Sequence, residues 1–186
     1  MDWIIPGTVL AVRQEEADHI EEMFSSMFLA GGMALGQISH ITGLEPYTVQ
    51  NWVKRGFLTS PVNKRYTLRQ LCRILNINML KSALSLEQIC GLLQYINGHL
   101  NDESDDLIDD SQLYFLFVRL AAYHRQMNTV QGREEYLQKI LSDYAEPVPG
   151  ARERVEKVLR IMLTAWAAAQ LRQTAEKMVN DLQEKE

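Results

Sequence analysis

The sequence predicts an all-α protein, and three observations carry that prediction. Apolar residues recur at i, i+3 and i+4 along most of the 186 residues, the period of one helix face. Thr67 to Gln70 and Ser85 to Gln88 both have the form of a capping box, in which two side chains satisfy the free N–H groups of a helix start. Between the periodic stretches stand Gly31-Gly32, Gly43, Gly56, Asn97-Gly98 and Pro147–Gly150, residues that end helices and turn the chain.

Taken in order, residues 1–14 read as irregular or briefly extended, with a turn at Pro6-Gly7. A helix is expected from Glu15 to Leu29. Ile20, Met23, Phe24, Met27 and Phe28 form its apolar stripe. Glu15, Glu16, Asp18, Glu21 and Glu22 cluster in its first half, where negative charge suits the helix dipole. With no partner motif converging on them, they read as a solvated face and not as a catalytic cluster. Residues 1–32 are therefore an N-terminal helical extension, expected to pack over the next unit or against a partner subunit.

The stretch from Leu35 to Tyr66 organises the rest. Leu35, Ile38 and Ile41 make a short helical face, and Gly43 can supply the left-handed residue that closes it. Pro46 suits a first helical position, where its missing N–H costs nothing. Val49, Trp52 and Val53 then form an inward face, while Thr48, Gln50, Asn51, Lys54 and Arg55 form an outward one rich in donors and free of acid. Gly56 stops this second helix, and Asn63-Lys64-Arg65-Tyr66 closes a basic hairpin. The pattern is a helix–turn–helix followed by a minimal β wing.

Charge supports it. Seven basic residues and no acidic one lie between Tyr47 and Lys81, while the chain as a whole carries −5. A basic face on an acidic protein is the footprint of a polyanion partner. Arg69 and Arg73 fall four apart in the next helix, which places them on one outward face, as phosphate contacts or as surface solubility. That helix buries Leu68, Leu71, Ile74 and Leu75; the one after it buries Leu86, Ile89, Leu92, Leu93 and Ile96.

Gln37-Ile38-Ser39, Thr42-Gly43-Leu44, Thr48-Val49, Trp52, Gly56-Phe57-Leu58, Pro61, Lys64-Arg65-Tyr66 and Leu84–Ile89 fall in the order and spacing of a MerR-like winged-helix DNA-binding domain. Residues 33–98 resemble that family, and most of all an uncharacterised bacterial family, a domain of unknown function with a shortened wing. The resemblance implies double-stranded DNA as partner, with Thr48, Gln50, Asn51, Lys54, Arg55, Lys64, Arg65, Tyr66, Arg69 and Arg73 as the DNA-binding set. MerR regulators usually carry Arg where this chain has Gln50, and a longer wing containing Gly. The short Pro61–Tyr66 loop therefore implies fewer or differently placed backbone contacts.

Six acidic residues between Asp102 and Asp110 mark residues 99–110 as an acidic linker. Residues 111–186 read as a helical bundle for dimerisation or sensing. Its first helix, Gln112 to Met127, is apolar nearly all round through Leu113 to Ala121, as a helix buried in the middle of something must be. A second runs from Arg133 to Tyr144. The last, Ala151 to Leu182, shows a seam of Val158, Ile161, Ala165, Ala168, Leu171, Ala175, Met178 and Leu182, widened by Leu159, Met162 and Trp166.

Other chemistry is not signalled. Cys72 and Cys90 have no Cys-x-x-Cys or His partner and read as buried thiols of a reducing compartment. The four His lie on separate elements, and no phosphate loop or metalloprotease motif occurs. The Met residues, Met127 among them, read as core filler. We therefore expect no enzyme, no cofactor and no metal. With no basic leader and no apolar run long enough to span a bilayer, a cytoplasmic location without membrane association is expected. The function implied is a DNA-binding transcriptional regulator acting as a homodimer, with a small-molecule or protein effector on the C-terminal helices. The alternative is a protein-interaction module that keeps the helix–turn–helix as a scaffold.

Overall fold

The computed structural model describes residues 2–126 and 129–183; Met127, expected as a helix end and as core filler, lies outside them. The chain is mostly helical. In order it forms β1 (Asp2–Ile4), β2 (Ala11–Arg13), a 3₁₀ segment (Gln14–His19), α1 (Ile20–Met27), β3 (Met33–Ala34), α2 (Leu35–Thr42), α3 (Pro46–Lys54), β4 (Arg65–Tyr66), α4 (Leu68–Leu80) and α5 (Leu86–Asn97). A 3₁₀ turn (Glu103–Asp105) leads to α6 (Asp110–Gln126), α7 (Val130–Ile140) and α8 (Ala151–Gln183).

Both capping boxes form. Thr67 N–H donates to Gln70 Oε1 at 2.9 Å while Gln70 N–H donates to Thr67 Oγ1 at 3.2 Å. Ser85 and Gln88 repeat the exchange at the same distances. Between them lies α4, whose Leu71, Cys72, Ile74, Leu75, Ile77, Met79 and Leu80 are all buried. It packs on α6, where Leu113 to Val118 and Leu120 to Ala122 are buried on every side. These two helices are the centre of a core that runs unbroken from Trp3 to Trp166. Cys72 is buried and Cys90 half-buried, both free, and burial pushes both thiols up.

The N-terminus is more ordered than its sequence suggests. β1 and β2 pair antiparallel, Trp3 opposite Val12, and Trp3 and Ile5 point into the core. The turn between them lies against α4. Gly7 has φ +78°, and a Cβ there would stand 2.6 Å from the Leu75 carbonyl oxygen, so only glycine fits. Asn78 Nδ2 and the Tyr114 hydroxyl donate to the Gly7 and Pro6 carbonyls, each at 2.8 Å. The acidic stretch expected to open the first helix forms the 3₁₀ segment instead. α1 packs within the chain: Phe24 meets Tyr114 and Phe115 edge-on, each with ring centroids 6.0 Å apart.

Two further expectations are corrected. The acidic linker expected over residues 99–110 is mostly exposed from 99 to 105, but its second half packs on the core. Leu107 and Ile108 are buried, and Leu107 N–H donates to the Ile96 carbonyl at 2.8 Å, so this strap closes the gap between α5 and α6. The core is shared across it, since α4 and α5 both pack on α8. The α8 seam is also rotated from the expected one. Val155, Val158, Leu159, Met162, Ala165, Trp166 and Ala169 face inward, while Ile161 and Ala168 face out. Beyond Ala169 nothing covers the helix among the described residues, and Leu171, Met178 and Leu182 are exposed.

The strap also overturns the outward placement of Arg69 and Arg73. Arg73 is only 7% exposed. Its Nη1 lies 3.2 Å from Asp110 Oδ2, and its Nε donates to the Phe57 carbonyl at 3.0 Å. Arg69 meets Asp106, Glu103 at 3.2 Å and Asp109 at 3.5 Å. Arg73 is buried between α4 and α6, where a cation must be met by a carboxylate, while Arg69 stays partly exposed. Burial pushes the Asp110 carboxyl up, and Arg73 pulls it back. Replacing Asp110 with Ala strands the Arg73 charge, so Asp110→Ala should lower unfolding stability by about 3–5 kcal/mol. Asp102→Ala, at an exposed position of the same strap, should cost far less in the same urea titration.

Candidate nucleic-acid interface

α2 and α3 are joined by a tight turn. Gly43, at φ +69°, closes α2, and its N–H donates to the Ser39 carbonyl at 2.9 Å. Pro46 opens α3 at a position that needs no N–H donor. Val49 and Trp52 anchor α3 in the core. Gln50, Asn51 and Lys54 stand exposed on the opposite face, and Thr48 is half-buried at its edge. Arg55, just past the helix, lays its guanidinium 4.5 Å over the Phe57 ring and reaches Glu87 at 2.7 Å. Both partners of that pair are largely exposed, so a competing anion can displace Glu87 at little cost.

The basic hairpin is held from below. Gln70 Nε2 donates to the Thr59 and Ser60 carbonyls, each at 3.1 Å, and Arg73 fixes the Phe57 carbonyl. β3 pairs with β4, Met33 opposite Tyr66 and Ala34 opposite Arg65. Arg65 N–H donates to the Val62 carbonyl at 2.9 Å, which closes a two-residue turn through Asn63 and Lys64. Both turn residues have positive φ, +50° and +60°. That is the signature of a type I′ hairpin turn, whose second position favours glycine. Lys64 therefore stands at the tip in a conformation its side chain disfavours. Arg65 is exposed beside it, with one bond from Nη1 to the Gly32 carbonyl at 3.2 Å. A shallow groove of about 620 Å³ separates this hairpin from α3, with Gln50 and Lys64 on its walls.

The structure leaves Gln50, Asn51, Lys54, Arg55, Lys64 and Arg65 exposed and Thr48 half-buried, and it brings Gln50 and Lys64 to one groove. It leaves out three residues of the expected set. Tyr66 is buried at 3% exposure, and burial pushes its phenol up; it is a core residue of β4. Arg69 and Arg73 are spent on the strap. Sequence reasoning missed Tyr47, 69% exposed in the first turn of α3. Its signal was available, since Tyr47, Gln50, Asn51 and Lys54 follow the i, i+3, i+4, i+7 spacing of one helix face. Val62 is likewise exposed on the hairpin. Glu45 is the one carboxylate at the start of α3. Among the described residues, no three His, Cys, Asp or Glu side chains converge as metal ligands would. No helix among them is long and apolar enough to cross a membrane.

Residues 19–117 match the family described as Domain of unknown function (DUF1836), and the chain belongs to that family. The matched stretch runs from the start of α1 into α6. It therefore includes both the α3–hairpin face and the strap that neutralises Arg69 and Arg73. The chain is also 26% identical over 162 residues to the Uncharacterized protein YkrK of Bacillus subtilis (strain 168), covering 80% of this chain and 69% of that one. No solved structure matches.

Glycine relieves the strain at the hairpin tip. Lys64→Gly should raise unfolding stability by about 1 kcal/mol, read as a higher urea midpoint with an unchanged slope.

Proposed function

We propose that this protein binds double-stranded DNA through a MerR-like winged helix made of α2, α3 and the Val62–Arg65 hairpin, and regulates transcription as a homodimer. The observation that carries the reading is Lys64. A cationic residue stands at the exposed tip of a turn where glycine would be more stable, beside Arg65, on a chain of net charge −5. Strain kept at an exposed position is a mark of function, and what a lysine offers there is charge.

In this reading α3 enters the major groove. Asn51 reads a base edge, since its amide can pair bidentately with adenine. Gln50, Thr48 and Tyr47 flank it on the same helix. Lys54, Arg55, Lys64 and Arg65 bind phosphates and set register without reading sequence. Gln70 and Arg73 act from behind, by fixing the carbonyls from which the hairpin springs.

One such unit reads few base pairs, and useful discrimination calls for two half-sites on a two-fold axis. The distal half of α8 supports a homodimer: Leu171, Met178 and Leu182 are exposed at the spacing of a coiled-coil seam. Paired with a second copy, that seam is buried. Changing Met178 and Leu182 to Glu should convert a dimer into a monomer in sedimentation velocity, with helicity unchanged.

Asn51→Ala tests the readout. It should relax the preference at one base pair of a selected duplex, with binding to random duplex unchanged. Equal loss on selected and random DNA would refute the role of Asn51. No binding of the wild type to any duplex at low salt would leave the helix–turn–helix as a scaffold for protein contacts.

A further inference from the structure

A cleft of about 470 Å³ opens between the β1–β2 hairpin, the end of α4, the end of α6 and the middle of α8. That volume falls in the range of small-molecule sites, roughly 300–1,000 Å³. Its walls come from opposite ends of the sequence, with Trp3 from β1 and Trp166 from α8. Lys81, where α4 ends, and Arg125, near the end of α6, bring two positive charges to it. Gln170 and Gln173 bring amides from α8.

The charge of this lining is one-sided. No Asp or Glu contributes to it among the described residues. None of the ion pairs among the described residues involves Lys81 or Arg125. Both residues are exposed, whereas the buried Arg73 and the partly buried Arg69 are met by Asp110 and Asp106. Desolvation lowers the Lys81 ammonium from the ordinary lysine value, with no carboxylate opposing it. Two exposed cations on one cleft, with no counter-ion opposite them, give an anion a place to bind.

We infer that this cleft binds a small organic carboxylate with an apolar body. The carboxylate is held by Lys81 and Arg125, and the body lies against the exposed Ile4, beside the edges of the nearly buried Trp3 and Trp166. The glutamine amides supply further donors to its oxygens. The inference rests on the cleft alone and does not require DNA binding.

The three tryptophans make the test local, because Trp52 sits in α3, outside the lining, and reports on the fold instead. The full-length protein is titrated with benzoate and with octanoate, an aromatic and an aliphatic body, while the three indole N–H signals are followed by NMR. Either probe should shift Trp3 and Trp166 saturably and leave Trp52 in place. Benzamide, which has the same body without the charge, should bind at least about tenfold more weakly, a difference of about 1.4 kcal/mol. Lys81→Gln combined with Arg125→Gln should weaken the carboxylates by at least that factor, with the Trp52 signal showing an intact fold. Absence of saturation by both probes up to about 10 mM, weaker than any affinity of use to a sensor, would overturn the inference. So would equal binding of benzamide, or unchanged binding by the double variant.

Discussion

The Arg73–Asp110 pair is the constraint around which the molecule is arranged. Arg73 lies on α4 and Asp110 begins α6, and these two helices form the centre of the core. A charge inside an apolar core must be paired and its remaining donors satisfied. The pair therefore fixes where α6 starts relative to α4. It pulls the strap inward behind Leu107 and Ile108, and it turns the second donor of Arg73 toward the Phe57 carbonyl at the base of the hairpin. Asn76 adds a bond to the Asp110 carbonyl at 3.3 Å.

This arrangement sorts the basic residues into two groups. Those on α4 are neutralised from within by the acidic strap. Those on α3 and the hairpin remain outside, with Glu87 as the near neighbour of Arg55. The acidic run and the basic window, which look like opposed features along the chain, are partly each other's partners in space. What remains exposed is smaller than the sequence suggests and more sharply placed. The same α4 that holds the hairpin base also ends at the tryptophan-lined cleft. Its Asn78 ties the N-terminal turn to the end of α2, through the Gly7 and Thr42 carbonyls.

Local chemistry was legible in the sequence where it acts over a few residues. The capping boxes at Thr67 and Ser85, the glycine at 43, the proline at 46 and the fully apolar α6 all appear in the structure, because each is decided by near neighbours or by overall composition. Long-range pairing was not legible. Helical spacing put Arg69 and Arg73 on a common face, but spacing cannot say that a carboxylate thirty-seven residues on will cover them. Strands as short as β1 and β2 carry no clear alternation, and their order comes from Trp3, Ile5 and a glycine fitted against Leu75. α8 is apolar on more than one side, so its sequence admits several seams, and packing against α5 and α6 chose among them. At the candidate interface the outward face of α3 followed from its spacing. The burial of Tyr66 followed from its pairing with Met33, which no local signal announces.

The central claim, that the exposed cations of α3 and the hairpin bind DNA phosphates, is tested most directly by the salt dependence of binding. Wild-type protein and a Lys64→Ala, Arg65→Ala variant are titrated with labelled genomic duplex fragments across a salt series. Each phosphate contact contributes about −0.9 to the slope of log affinity against log salt. The account predicts a steep slope for the wild type and a slope shallower by about two per bound protomer for the variant, at equal thermal stability. Identical slopes for the two proteins, or no binding by the wild type at low salt, would contradict it.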